Sequence, residues 1–335
     1  MQLQSSLLAA PALGAQGRFF AVISDHTAQN CDIDLYGASG AAVRIDWGDG
    51  HAGSYALQGS SVGVQALHAY GADGTYTILL TGDVHLVTGI RRGGDSVTDM
   101  FAPSLPHGLL AFPMLADYGG VYGQGDLTPV LARLPLGKIE VLYGRAWRSL
   151  ESPAVHCDVD AVDWSAFTLV SLFYSTGVTG SLSSFAAAAG LEYLTLRSVN
   201  VSGSLHDVRA NTALVQLALI LPGVTGDIAD LAALPNLTQL NLVSSGVNAY
   251  TPGANILWPA GISVSLTGVV GLSAAAIAAL LQDMLNSGTS WDGAELSVSG
   301  CNGGTCTAEH INTAHGTAGW IETTVAPAGI TVHTD

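Results

Sequence analysis

Between residues 169 and 242 the apolar positions recur with a fixed step. The segments Leu169-Val-Ser-Leu172-Phe-Tyr174, Leu191-Glu-Tyr-Leu194-Thr-Leu196, Leu214-Val-Gln-Leu217-Ala-Leu219 and Leu237-Thr-Gln-Leu240-Asn-Leu242 begin 22, 23 and 23 residues apart. A second marker keeps the same step: Val178-Thr-Gly-Ser-Leu182, Val201-Ser-Gly-Ser-Leu205 and Val224-Thr-Gly-Asp-Ile228. Two markers sharing one period identify an internal repeat. In each L-x-x-L-x-L segment the last two apolar side chains point inward from a short strand and the residues between them point out. One such strand cannot bury its apolar edge, so the strands are expected to stack in parallel, each closed by a returning segment. Leu172, Leu194, Leu217 and Leu240 are predicted to share one buried column, and Gly180, Gly203 and Gly226 to permit the bend on the return side.

This pattern resembles the leucine-rich repeats. The resemblance implies a solenoid with parallel strands, and Leu136-Gly-Lys-Ile139-Glu-Val141 has the same form. The array is therefore expected over residues 105–270, with an insertion between Val141 and Leu169. If a ligand binds, it is expected on the concave face. The outward positions there are Ser171, Phe173 and Ser175; Tyr193, Thr195 and Arg197; Gln216, Ala218 and Ile220; Gln239, Asn241 and Val243. Tyr193, Arg197, Gln216, Gln239 and Asn241 are the candidate ligand-binding residues, because amides and an Arg–Tyr pair suit a glycan or a peptide.

From Phe19 to Leu86 the period changes to two. Ala42-Val-Arg-Ile-Asp46 alternates and ends in Trp47-Gly-Asp-Gly50, a turn in which Asp49-Gly50 is a preferred hairpin pair. Farther on come His68-Ala-Tyr70 and Gly74-Thr-Tyr-Thr-Ile78. These three segments resemble the PKD family of immunoglobulin-like domains. The resemblance implies an antiparallel β-sandwich over residues 19–88, used as a spacer or adhesion module, with residues 1–18 as an N-terminal arm. Turn chemistry accounts for Asp46 and Asp49, so no metal is assigned to them.

Beyond residue 270 the strict repeat is lost, and residues 271–335 are expected to cap the array. Leu272 to Leu285, with Ser273 as N-cap, is the strongest helix signal in the chain. Ile262 to Leu266 and Ala294 to Val298 read as strands, Thr307 to Ala314 as a helix and Trp320 to Val325 as a last strand. The fold class expected is thus mainly β with some α. Leu280-Leu281, Leu296-Ser-Val-Ser-Gly300 and Gly319-Trp320 resemble the C-terminal part of repeat proteins encoded by bacteriophages and prophages.

Composition narrows the function. Of the 335 residues only 11% are charged, 41 are glycine, and 26 acidic residues face 10 basic ones, for a net charge of −16. An acidic surface without a basic stripe excludes nucleic acid as an expected partner. The mean hydropathy is +0.39, yet the most apolar stretch, residues 272–285, is interrupted by Gln282 and Asp283. A bilayer helix needs about 20 apolar residues, so no membrane insertion is expected. Ser5 to Gly17 has the small and apolar residues of a secretory signal but no preceding basic residue.

No zincin motif, phosphate loop, dinucleotide fingerprint or nucleophile elbow is present, and neither catalytic residue nor cofactor is assigned. Cys301, Cys306, His310 and His315 approach a zinc spacing, but the two histidines would diverge on a helix, so zinc is set aside for two alternatives, a Cys301–Cys306 disulfide across the intervening loop or two reduced thiols there. Asp158, Asp160 and Asp163 read as a solvated acidic face. The chain is accordingly expected to be a non-enzymatic virion component of a tailed bacteriophage, as tail fibre, baseplate appendage or head decoration. Its expected partners are other virion proteins, copies of itself and a host-surface glycan or protein. The alternative is a bacterial cell-surface or exported adhesin.

Overall fold

The computed structural model describes residues 17–23, 30–92, 100–103, 112–121, 125–131, 134–135, 137–141, 155–173, 176–253, 256–287, 291 and 293–335. Residues 1–16 of the expected arm, and Tyr174 and Ser175, lie outside them. The chain divides into two compact units, Met1–Leu136 with Val141–Ala154, and Gly137–Glu140 with Val155–Asp335.

The described residues of the first unit are mostly short strands, with a short helix at Thr128–Leu131. One sheet runs in the order β4 (Ala52–Ala56), β3 (Ala42–Asp46), β6 (Gly74–Gly82), β1 (Gly17–Ile23) and β8 (Met100–Pro103). Another runs β5 (Gly59–Ala69), β2 (Asn30–Gly37), β7 (Val87–Arg92) and β9 (Asp117–Val121). All described pairings are antiparallel except β7 with β9. Strict alternation in β3 buries Val43 and Ile45 and exposes Arg44, as the period of two requires. Ile33 and Leu35 of β2, Ile78 and Leu80 of β6, Ile90 of β7 and Trp47 are buried as well.

The second unit is a solenoid of stacked parallel strands. Its long sheet has the order β11 (Lys138–Val141), β13 (Leu169–Phe173), β15 (Tyr193–Arg197), β17 (Gln216–Ile220), β19 (Gln239–Asn241), β20 (Ser263–Ser265), β21 (Ala294–Ser297) and β22 (Ile330–His333). From β13 onward every pairing is parallel. The inward column is Val170, Leu194, Leu217, Leu240, Val264, Leu296 and Val332. Leu172 is buried, but it pairs with Leu196 and not with Leu194. The correct frame of the first repeat is Phe167-x-x-Val170-x-Leu172, in which a buried phenylalanine stands where later repeats carry Leu191, Leu214 and Leu237.

The second repeated marker is the return path. Strands β12 (Val155–Asp158), β14 (Gly177–Ser181), β16 (Asn200–Ser204) and β18 (Val224–Thr225) form a smaller parallel sheet. Val178, Val201 and Val224 are buried, and the following glycines adopt positive φ of 126°, 149° and 110°. At Gly203 a Cβ would stand 2.8 Å from Leu182 Cβ of the preceding coil, so both the bend and the stacking demand glycine. The next residue, Ser181, Ser204 or Asp227, caps a one-turn 3₁₀ helix through its side-chain oxygen, and Leu182, Leu205 or Ile228 then enters the core.

The last two coils keep the strand but replace the short return with helix. Ala274–Asn286 separates β20 from β21, capped by Ser273 Oγ accepting from Ala276 N, and buries Ile277, Leu280, Leu281 and Met284. Ala308–His315 follows β21. Residues 320–325 do not form the expected strand: Ile321–Val325 is helical, and the strand that pairs with β21 is Ile330–His333. Ile330 and Val332 alternate toward the column, whereas Ile321 and Val325 lie one helical turn apart and are both buried.

Candidate functional site

The candidate binding residues fall on the outward side of the long sheet, where register sets their spacing. Tyr193 pairs with Gln216, Gln216 with Gln239, and Gln239 with Ser263. Neighbouring strands stand about 4.8 Å apart, so these four side chains form one row across adjacent coils. Tyr193 and Gln239 are exposed, and Gln216 and Ser263 half-buried. A second row, two residues further along each strand, holds Ser171, Thr195, Ala218, Asn241 and Ser265. Ser171 and Ala218 are buried there despite pointing outward. The third row begins Phe173, Arg197 and Ile220, so Arg197 lies at the opposite end of β15 from Tyr193.

Structure therefore joins Tyr193, Gln216 and Gln239 in one row and sets Arg197 and Asn241 apart from it. Asn241 also has local work, since its Oδ1 accepts from Val243 N at 3.2 Å and closes the turn leaving β19. What the face offers is a strip of amide, hydroxyl and phenol groups flanked by one guanidinium. Such groups can donate to and accept from a polar ligand. No pair of titratable side chains among them is arranged for proton transfer.

The carboxylates in 158–163 accept hydrogen bonds from the fold itself. Asp158 Oδ1 accepts from Asp160 N and Asp163 Oδ1 from Ser165 N, each closing a turn two residues on. Asp160 reaches the next coil, accepting from Ser181 N at 2.9 Å and from Ser184 Oγ. The Ser184 hydroxyl and the Ser181 amide hold its carboxyl below the usual range.

All four cysteines are buried. Burial pushes the Cys301 thiol up to about 12 and the Cys306 thiol up to about 11. Cys301 Sγ donates to Leu266 O at 3.0 Å. The histidines of the same region face elsewhere. His310 Nδ1 accepts from Thr307 N in a capping box, and His315 stacks on Trp320 with ring centroids 3.7 Å apart.

One grouping in the first unit was not anticipated. Asp49, His51 and His68 bring their donor atoms within 4.8 Å of one another, the one group of its kind among the described residues. Its sequence trace is slight, an Asp-Gly-His turn and a distant His-x-Tyr, because only the β3–β4 hairpin and the course of β5 bring them together. Burial opposes ionisation of Asp49, but hydrogen bonds from His68 and His51 outweigh it and hold the carboxyl below its usual range.

No family model matches the chain, and no curated protein matches it. Among solved structures, an internalin C2 from Listeria monocytogenes is similar at 19% identity and a TM-score of 0.32, covering 52% of this chain and 79% of that one. An internalin from the same species, inlF, matches at 13% identity and a TM-score of 0.34, covering 65% and 78%. The leucine-rich-repeat ectodomain of the Arabidopsis thaliana receptor kinase GASSHO1/SCHENGEN3, solved with CASPARIAN STRIP INTEGRITY FACTOR 2, matches at 16% identity and a TM-score of 0.35, covering 58% of this chain but 29% of its own length. The repeat assignment rests on the register of the chain's own strands.

Proposed function

We propose that this chain is a non-enzymatic recognition protein that binds a polar surface ligand, a glycan or a peptide, across the outward face of its solenoid. The observation that carries this is the row Tyr193–Gln216–Gln239–Ser263, in which consecutive coils repeat hydrogen-bonding side chains at strand spacing. A ligand with a comparable repeat of hydroxyl or amide groups meets one partner per coil. Binding by such a strip gains little from any single contact and much from their sum.

The first unit serves in this reading as a PKD-like, immunoglobulin-like spacer. The Trp47-Gly-Asp-Gly50 turn, the Tyr70 hydroxyl donating to Trp47 O at 3.0 Å and the alternating β3 and β6 support that assignment. The carrier is proposed to be a tailed-bacteriophage particle, on the likeness of residues 280–320 to phage-encoded repeat proteins and the pairing of a PKD-like module with repeats. A bacterial surface adhesin uses the same face, and no helix among the described residues is long and apolar enough to cross a membrane.

The test is to immobilise the full chain and screen polysaccharides and peptides from bacterial envelopes. Saturable binding that falls when Tyr193 and Gln216 are both replaced by alanine supports the reading. Absence of binding across the panel, or turnover of any member of it, overturns it. Mass spectrometry of purified particles, finding several copies or none, decides the carrier.

A further inference from the structure

We propose that Asp49, His51 and His68 form a binding site for a divalent transition ion of the zinc type at the tip of the β3–β4 hairpin. The argument begins with the turn. Trp47 N donates to His51 O at 3.0 Å, which closes the loop between β3 and β4, and Asp49 Oδ1 accepts from His51 N at 3.1 Å. Gly48 sits at φ 81°, where a Cβ would fall 2.4 Å from Thr77 O, so the loop is pressed against β6 and has one available course. That course turns the Asp49 carboxylate toward β5 and places the His51 ring beside it.

The third ligand comes from β5, where His68 lies opposite Cys31 of β2. Its ring stacks on Trp47, with centroids 5.0 Å apart and planes 15° apart, and meets Tyr70 edge-on at 4.7 Å. Tyr70 in turn donates to Trp47 O. The imidazole is held on two sides before any ion arrives, as support around a metal ligand requires. His68 Nε2 lies 2.8 Å from Asp49 Oδ2, and His51 Nδ1 lies 3.2 Å from Asp49 Oδ1.

The donor atoms of the three residues all lie within 4.8 Å of one another, a set that a small movement of the exposed His51 ring closes onto an ion. Zinc bonded at about 2.0–2.1 Å to nitrogen and oxygen in a tetrahedron holds its donor atoms roughly 3.3 Å apart. Two imidazoles with one carboxylate select a borderline ion such as zinc over calcium or magnesium, which take oxygen ligands. Exposure is divided in a telling way. The side chains of His68 and Asp49 are 12% and 14% exposed, whereas that of His51 is 74% exposed. Two ligands are thus fixed and the third is free to close over the ion, leaving a fourth position open to water. The sequence alone assigned Asp49 to turn chemistry and no metal to the chain; the same carboxylate does both when β5 brings His68 to it.

His51 separates this site from an ordinary Asp–His hydrogen bond, because the ion needs it and the fold does not. The full chain, stripped with chelator and dialysed, is titrated with Zn2+ by calorimetry, with metal content measured after gel filtration. Co2+ absorption and Trp47 fluorescence report the site directly. The expected result is one ion per chain, with affinity reduced about tenfold or more in His51→Ala. Asp49→Asn, whose amide oxygen can still accept from His51 N, is expected to lose affinity while keeping the turn. Cys306→Ser is expected to bind as the parent does. No stoichiometric ion in the parent chain, undiminished binding in His51→Ala, or loss of the ion in Cys306→Ser would each overturn the proposal.

Discussion

The side-chain amide of Asn211 donates to the carbonyl of Phe185 at 2.9 Å, and to that of Ala188 at 2.8 Å, from a fully buried position one coil away. Both carbonyls already accept within their own coil, from Ala188 N and Leu191 N, and the amide from the next coil adds a second bond to each. Asn200 and Asn236 do the same at the surface, donating to Thr176 O and Thr212 O. The asparagines of both Asn-x-Ser/Thr triplets are therefore ties between coils.

Replacing Asn211 by leucine should cost about 1–3 kcal/mol, because two buried hydrogen bonds between coils are lost. Asn236→Ala, at an exposed position, should cost well under that. Chemical denaturation of the two variants checks the ordering.

Leu217→Ala should destabilise the solenoid by about 2–5 kcal/mol, since the residue is fully buried between Leu194 and Leu240. Gly203→Ala should also destabilise, by about 1–3 kcal/mol, through its positive φ and the contact with Leu182. Gly190→Ala, with open space around its Cβ, serves as the neutral control.

Much of this solenoid could be read from the chain before the structure. The Val-x-Gly-Ser/Asp-Leu marker maps position by position onto buried valine, positive-φ glycine, cap and core residue. The frame of the first repeat was misread by two residues, because Leu169, Val170 and Leu172 offer two overlapping L-x-x-L-x-L registers and Phe167 does not look like a repeat leucine. The strand expected over residues 320–325 failed for a different reason. Its β-branched run favours a strand locally, but stacking of Trp320 on His315 and pairing of Ile330–His333 with β21 take precedence. Tyr193, Gln216 and Gln239 followed from the period, whereas Asp49, His51 and His68 meet through long-range strand pairing that no local pattern encodes.

The thiols of Cys301 and Cys306 should resist alkylation in the native protein at about pH 8, because burial raises both and thiolate is the reactive form. Reactivity should rise only as the pH approaches 11–12, or on unfolding. Mass spectrometry after brief iodoacetamide treatment, with and without denaturant, measures this.

Asp335 is the clasp of the C-terminal coil. Its carboxylate accepts from Ser299 Oγ, from Cys306 N at 2.6 Å and from Gly300 N at 3.0 Å, and these bonds hold the carboxyl below its usual range. A depressed carboxylate stabilises the fold above its unfolded pKa of about 3.9 and loses that contribution as the pH falls through the folded value. The amide resonances of Gly300 and Cys306 should therefore titrate together at a pH below the ordinary carboxylate midpoint, and should not titrate there in Asp335→Asn.

The outward row is tested most directly by mapping where a captured envelope ligand touches the full chain, through protection from hydrogen exchange or hydroxyl-radical footprinting. Protection centred on Tyr193, Gln216 and Gln239, and abolished by Tyr193→Ala with Gln216→Ala, is the predicted result. Protection confined to the return sheet, at Thr179, Asn200, Ser202 and Thr225, would contradict the account.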